Sequence, residues 1–224
     1  NTWSIKETHR LIMLSAVYQM SSEHNDKAAA IDPENRLQWR ADVRRLEAEA
    51  IRDSLLFVSG VLDPSMGESM LHVKNRAFIF DHTSRDKTNY DSRRRSVYLP
   101  VIRNNLYDVF SLFDYSDASM MNGDRATSTV APQALFMMNS PLVHETAGLL
   151  ADDLLKRGDG NDARRVRLLY ERTHGRRPTD KEVTRAEKYL ALVAARSKDG
   201  DPRRLAWRSL CHAVVASNEF IHVR

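Results

Sequence analysis

The chain has 224 residues, of which 42% are hydrophobic, 29% charged and 8% aromatic, a balance that excludes disorder, a collagen repeat and an integral membrane protein. Lys and Arg number 34 against 30 Asp and Glu, a formal charge of +4; because the two signs are interspersed, no bulk polyanion partner such as nucleic acid is indicated. A chain of this length buries roughly 70% of its unfolded surface, so no metal or disulfide staple is required, and the single Cys211 can form neither an internal disulfide nor a haem attachment site.

Taken in order, Ser4 can cap a helix whose apolar residues Ile5, Ile12, Met13, Ala16, Val17 and Met20 follow the helical period, which predicts a one-faced core helix. Asp32-Pro33 reads as an N-cap and first-turn proline opening a long helix through Val43, Leu46, Ala50, Ile51, Leu55 and Val58 to a stop at Gly60, with Arg45 and Glu49 paired at i,i+4. From about residue 61 to 102 the period is lost. This excursion holds two β-like runs, Ala77 to Phe80 and Val97 to Ile102, which could pair as a small hairpin, Pro100 arguing for an edge.

Leu106, Val109, Phe110 and Phe113 restore a helical pattern, a loop follows from Asp114 to Thr129, and helices return at Pro132. Start signals at Ser140-Pro141, Thr179 to Glu182 and Asp201-Pro202 predict helices near 141–157, 180–197 and 202–217, with another around 162–174. The fold class expected is mainly α, a helical bundle with an irregular excursion. It is read as one domain over 1–224, with a subdivision into 1–113 and a C-terminal bundle over 130–224. No run reaches the about 18 apolar residues of a membrane span, and Asn1-Thr2-Trp3 is neither an initiator Met nor a signal peptide, so a fragment of a longer protein is expected.

Four stretches carry a resemblance: Asp32-Pro33-Glu34-Asn35-Arg36-Leu37-Gln38-Trp39-Arg40 continuing to Leu62-Asp63; Arg94-Arg95-Ser96-Val97-Tyr98-Leu99-Pro100; Leu112-Phe113-Asp114 with Ser128-Thr129-Val130-Ala131-Pro132-Gln133-Ala134-Leu135; and Ser217-Asn218-Glu219-Phe220-Ile221. Together the chain resembles the planctomycete-specific domain-of-unknown-function family 1553. It departs from the family's Gly-Gly after Leu-Asp, having Met66-Gly67 instead. The resemblance implies an extracytoplasmic protein, periplasmic or secreted, with a sister domain upstream as partner and often a c-type cytochrome domain. It supplies no catalytic residues.

Read from the residues, Arg40, Arg44, Arg45, Glu47, Glu49, Arg52 and Asp53 form either a solvated face or a structural ion network; the resemblance favours the network, centred on Arg40, Arg45, Glu49, Arg52 and Asp53. Arg93, Arg94 and Arg95, with Arg103, make the densest basic spot and a candidate anion-binding cluster, whose rival is pairing with acids of the same domain. Other constellations are thinner. Glu145, Asp152 and Asp153 share one helix, and Asp114, Asp117 and Asp124 share a loop without the EF-hand pattern. His72, Asp81, His82, Asp86 and Asp91 lack zinc spacing. Ser84 and Lys87 fit S-x-x-K without its partner motifs, and Gly67-Glu68-Ser69 stops a glycine short of a nucleophile elbow. No catalytic residue, metal or cofactor is assigned. The expected role is a non-catalytic structural or interaction module; the rivals are a share of a hydrolase acting on an extracellular polymer and an anion- or glycan-binding module.

Overall fold

A computed structural model describes residues 3–71, 88–102, 105–116, 121, 123–157, 160–197 and 200–223. It is mainly helical, with ten α-helices among the described residues, and the chain divides into two compact units, residues 1–45 with 222–224, and residues 46–221.

In the first unit, α1 (Ile5–Met13) starts where Ser4 Oγ accepts from the Glu7 N–H, as its cap predicts. It ends at Met13, however, and none of its residues is buried: Ile12 is 49% exposed and Val17, beyond its end, 62%. The expected core helix is therefore an amphipathic helix with an uncovered apolar face. The second helix, α2 (Asp26–Ile31), is capped by the Asn25 side chain.

Asp32 and Pro33 do not open a helix. Asp32 sits at the C-terminal end of α2, and its carboxylate accepts from the N–H groups of Arg36 (3.0 Å) and Leu37 (2.7 Å), four and five residues on rather than the two or three of an N-cap. Asn35 and Gln38 take positive φ of 55° and 53°, which no helix accommodates, and the Trp39 indole donates to the Asp32 carbonyl at 2.8 Å. The run is a self-tied loop. It leads into β1 (Arg44–Arg45), which pairs antiparallel with β2 (His222–Val223), Arg44 opposite Val223.

In the second unit, α3 (Ala48–Val58) is the true extent of the long helix, and Gly60 with φ of 77° ends it as expected. Then follow a 3-10 turn over Ser96–Tyr98, α4 (Asp108–Leu112), α5 (Ala131–Asn139), α6 (Pro141–Lys156), α7 (Asp162–His174), α8 (Asp180–Arg196), α9 (Pro202–Val215) and α10 (Asn218–Ile221). The small antiparallel sheet is thus built by β1 and β2, while the Val97 run makes the 3-10 turn instead of a strand, and Ala77 to Phe80 lie outside the described residues. The C-terminal helices fall within two residues of their predicted bounds, helped by local start signals: Asp201 accepts from Arg203 and Arg204, Thr179 and Glu182 form the reciprocal capping box, and Pro141 opens α6.

The buried apolar cluster lies within residues 48–221, where Ile51, Leu55, Phe110, Val143, Leu150, Leu154, Val166, Leu169, Trp207 and Cys211 are closed to solvent. Burying each such side chain is worth about 1.5–3 kcal/mol. Helix α6 packs most closely on α9, and α9 on α8. No helix among the described residues is long and apolar enough to cross a membrane.

Candidate functional site

The charged residues of α3 converge on the stretch 92–96. Arg52 is 1% exposed; its Nη1 donates to the Arg94 carbonyl (2.8 Å) and Ser96 Oγ (3.2 Å), and its Nη2 to the Ser92 carbonyl. Asp53, beside it, takes the Ser96 N–H at 2.8 Å and the Ser96 hydroxyl at 2.6 Å, and lies 3.4 Å from Arg52. A guanidinium this far from water is costly unless its donors are satisfied; the irregular segment supplies carbonyls and the Ser96 hydroxyl to both Nη groups, while Nε has no partner among the described residues. Arg52 and Asp53 thus tie a helix to a segment that cannot hold itself by periodic bonding.

Glu49, predicted to pair with Arg45, instead receives both Nη groups of Arg125 at 2.8 and 2.9 Å, with Glu47 at 3.2 Å from the same guanidinium. The Arg125 guanidinium also lies over the Tyr115 ring, 5.1 Å from its centroid, and its pKa is raised, chiefly by the hydrogen bond to Glu49. The four-residue spacing failed because Arg45 belongs to β1, not to the helix. Arg40 lies over the Trp39 ring at 4.9 Å, within the first unit.

Two of the three consecutive arginines are held by separate partners. Arg93 pairs with Glu145 at 2.8 Å, and both side chains are more than half exposed. Arg94 Nη1 reaches the carbonyls of Met66 (2.5 Å) and Glu68 (2.9 Å). Gly67 lies between those two, with φ of 63°, and a Cβ there would collide with Arg94 Nη1, so both its backbone angle and the close approach call for glycine. Arg95 is exposed, and Arg103 lies outside the described residues. Asp63, whose N–H donates to the Arg93 carbonyl, has its carboxyl held below the usual range, first by the Ser65 N–H.

Between α3 and the 95–101 segment a depression of about 620 Å³ is lined by Glu47, Glu49, Asp53, Phe57, Arg95 and Tyr115, among others. Two of its acids, Glu49 and Asp53, are held by Arg125 and Ser96. A general acid or base must be free to exchange its proton with a substrate, and these two carboxylates are instead fixed as acceptors.

The carboxylates of α6 are likewise committed: Asp152 to Arg204 at 2.7 and 2.8 Å, and Asp153 to Arg157 and Arg172. The Asp152 carboxyl is lowered foremost by the Arg204 hydrogen bond. Asp114 accepts from the Ser128 N–H and hydroxyl at 2.8 Å, and buried Gln133 donates to the Leu112 carbonyl at 3.1 Å; together they close the loop between α4 and α5. Asp117, His72, Asp81, His82, Asp86, Ser84 and Lys87 lie outside the described residues. Among the described residues no three His, Cys, Asp or Glu side chains gather where an ion could sit.

Two clusters escaped the sequence. Arg176, between α7 and α8, grips Glu219 (2.7 and 2.9 Å) and Glu182 (2.8 and 3.0 Å) at once, against the Tyr170 ring. This hydrogen bonding pushes Glu182 down to about 2 and raises Arg176. The only sequence signal was Glu182 itself, through its capping box. His144 and His212, on α6 and α9, lie against each other with rings tilted by 45° and centroids 4.3 Å apart; His212 Nε2 lies 3.1 Å from the Met137 carbonyl, and burial lowers its pKa. Cys211 is fully buried, which pushes its thiol pKa up and leaves it unreactive, as its apolar surroundings predict.

No curated protein and no solved structure matches the chain. A family model does, over residues 1–190, a span that includes the Arg52, Asp53 and Ser96 tie and the Asp114, Ser128 and Gln133 closure but ends before α9 and Glu219. The chain therefore belongs to the family described as PSD1, protein of unknown function (DUF1553).

Proposed function

We propose that this chain is a non-catalytic structural and interaction module of a larger extracytoplasmic protein, with an upstream domain of the same protein as its partner and a c-type cytochrome domain as a further one. The observation that carries the structural part is the commitment of the motif charges to internal acceptors, above all Arg52 to the carbonyls of Ser92 and Arg94 and Asp53 to Ser96. A buried guanidinium so placed stabilises one register of an irregular segment and is out of reach of a substrate. The compartment and the two partner domains rest on the resemblance stated above.

Arg52→Ala would leave the Ser92 and Arg94 carbonyls without their donor, and is expected to lower stability by about 3 kcal/mol, read by urea unfolding. The competing hydrolase reading places chemistry on the α6 carboxylates. A full-length parent protein that degrades a polysaccharide or peptide polymer, and loses that activity about a hundredfold in Asp152→Asn or Asp153→Asn with folding unchanged, would sink the structural reading. Activity indifferent to those changes, together with the loss of stability in Arg52→Ala, is the expected pair of outcomes.

A further inference from the structure

Net charge argues against a polyanion partner, but the folded surface concentrates its arginines. Along α7, Arg164, Arg167 and Glu171 recur at three- and four-residue spacing, so they share one side of the helix. This side borders a depression of about 1040 Å³ that Arg157, Arg177 and Asp180 also line, giving, with Arg165, five arginines against two acids.

Arg165 forms the fixed base of the depression. It is 5% exposed, with its Nε on the Leu154 carbonyl at 3.1 Å and its Nη1 on Asp162 at 2.9 Å. The outer guanidiniums differ. Arg157 pairs with Asp153, and Arg177 with Glu171 at 3.2 Å, yet the two arginine side chains are 64% and 86% exposed. Exposed pairs of this kind contribute about 0–1 kcal/mol, so an incoming oxyanion can replace either acid at little cost. Arg167 is exposed as well.

From these observations we infer that the α7 groove is a binding site for a linear acidic polysaccharide carrying sulfate or carboxylate groups. Three features select this class. All the cationic groups are guanidiniums, whose planar forks match sulfate and carboxylate oxygens two at a time. On α7 they run from Arg164 to Arg167, about 4.5 Å of helix at 1.5 Å per residue, and Arg157 and Arg177 line the same depression from the segments before and after that helix, so one small anion engages one fork while a chain with repeated charges engages several. Among the described residues the lining has no aromatic ring and only Leu168 and Pro178 as apolar members, whereas single-stranded nucleic acid is held largely by stacking on rings. The site shares no residue with the Arg52 tie, so either conclusion can fail alone.

The test is titration of fluorescent heparin octasaccharide into the whole chain at about 0.15 M salt, where weak surface attraction is screened. Arg167→Glu with Arg177→Glu is compared with Arg93→Glu plus Arg95→Glu, which changes net charge equally, and Arg167→Gln with Arg177→Gln serves as a milder groove variant. Near-ultraviolet circular dichroism checks folding. We expect the groove variants to weaken binding about tenfold or more and the control pair to leave it within about twofold. Equal loss in both charge-reversed pairs, no loss in the groove pair, or tighter binding of a single-stranded oligonucleotide or polyglutamate of matched charge would each overturn the inference.

Discussion

Arginine at position 52 and arginine at position 176 are the same side chain put to different use. Arg52 is buried against backbone carbonyls, so its contribution is the satisfaction of groups that water cannot reach. Arg176 is partly exposed and binds two glutamates, so its contribution is electrostatic and follows pH. Because the bonds to Arg176 push the Glu182 carboxyl down to about 2 in the folded chain from its usual 4.5, it adds stability that is complete above pH 4.5 and is lost as pH falls towards 2. His174 and His212 are also lowered, mainly by burial, with the Arg176 charge adding to the lowering at His174, so their contribution is complete above 6.5 and declines below it. Arg176→Ala is therefore expected to cost about 1–2 kcal/mol at pH 7, after discounting for solvent screening, and close to nothing near pH 2. Urea melts of the two proteins across that range check it; a gap that stays constant would show that the pair is not the cause.

At the scale of elements, the helices whose ends are marked by local chemistry are the ones that fold where expected. Thr179 and Asp201 begin α8 and α9 through bonds reaching no further than one turn, and Pro141 begins α6 through its fixed φ at the first helical position. Asp32-Pro33 carries the same letters and makes something else, because its carboxylate turns to Arg36 and Leu37 while Asn35 donates to the Arg40 carbonyl and to Asp42. Residue types alone cannot distinguish a cap that accepts from the second or third N–H from one that accepts from the fourth or fifth. Asp32→Ala is expected to leave the far-ultraviolet helical signal unchanged while the Trp39 indole N–H, now held by the Asp32 carbonyl at 2.8 Å, exchanges about tenfold faster by NMR. A clear drop in helical signal would restore the helix reading of that stretch.

Across the whole molecule the buried apolar cluster draws on residues 48 to 221. Removing residues 1–43 is therefore expected to leave a cooperative melt, whereas removing 1–60 takes away Ile51, Arg52 and Leu55, all closed to solvent, and should leave a molten chain by near-ultraviolet circular dichroism. A cooperative melt from the shorter protein would overturn this. Helix content, the C-terminal bundle, the inert Cys211 and the family were all readable from residues in order, because period, caps and apolar spacing act between neighbours. The partner of Glu49, 76 residues away at Arg125, the grip of Arg176 on Glu219, the scattering of Arg93 to Arg95 and the gathering of arginines along α7 were not. A guanidinium has no preference among distant carboxylates until packing brings one within about 3 Å, so which charges are locked inside and which face solvent emerged only when the helices met.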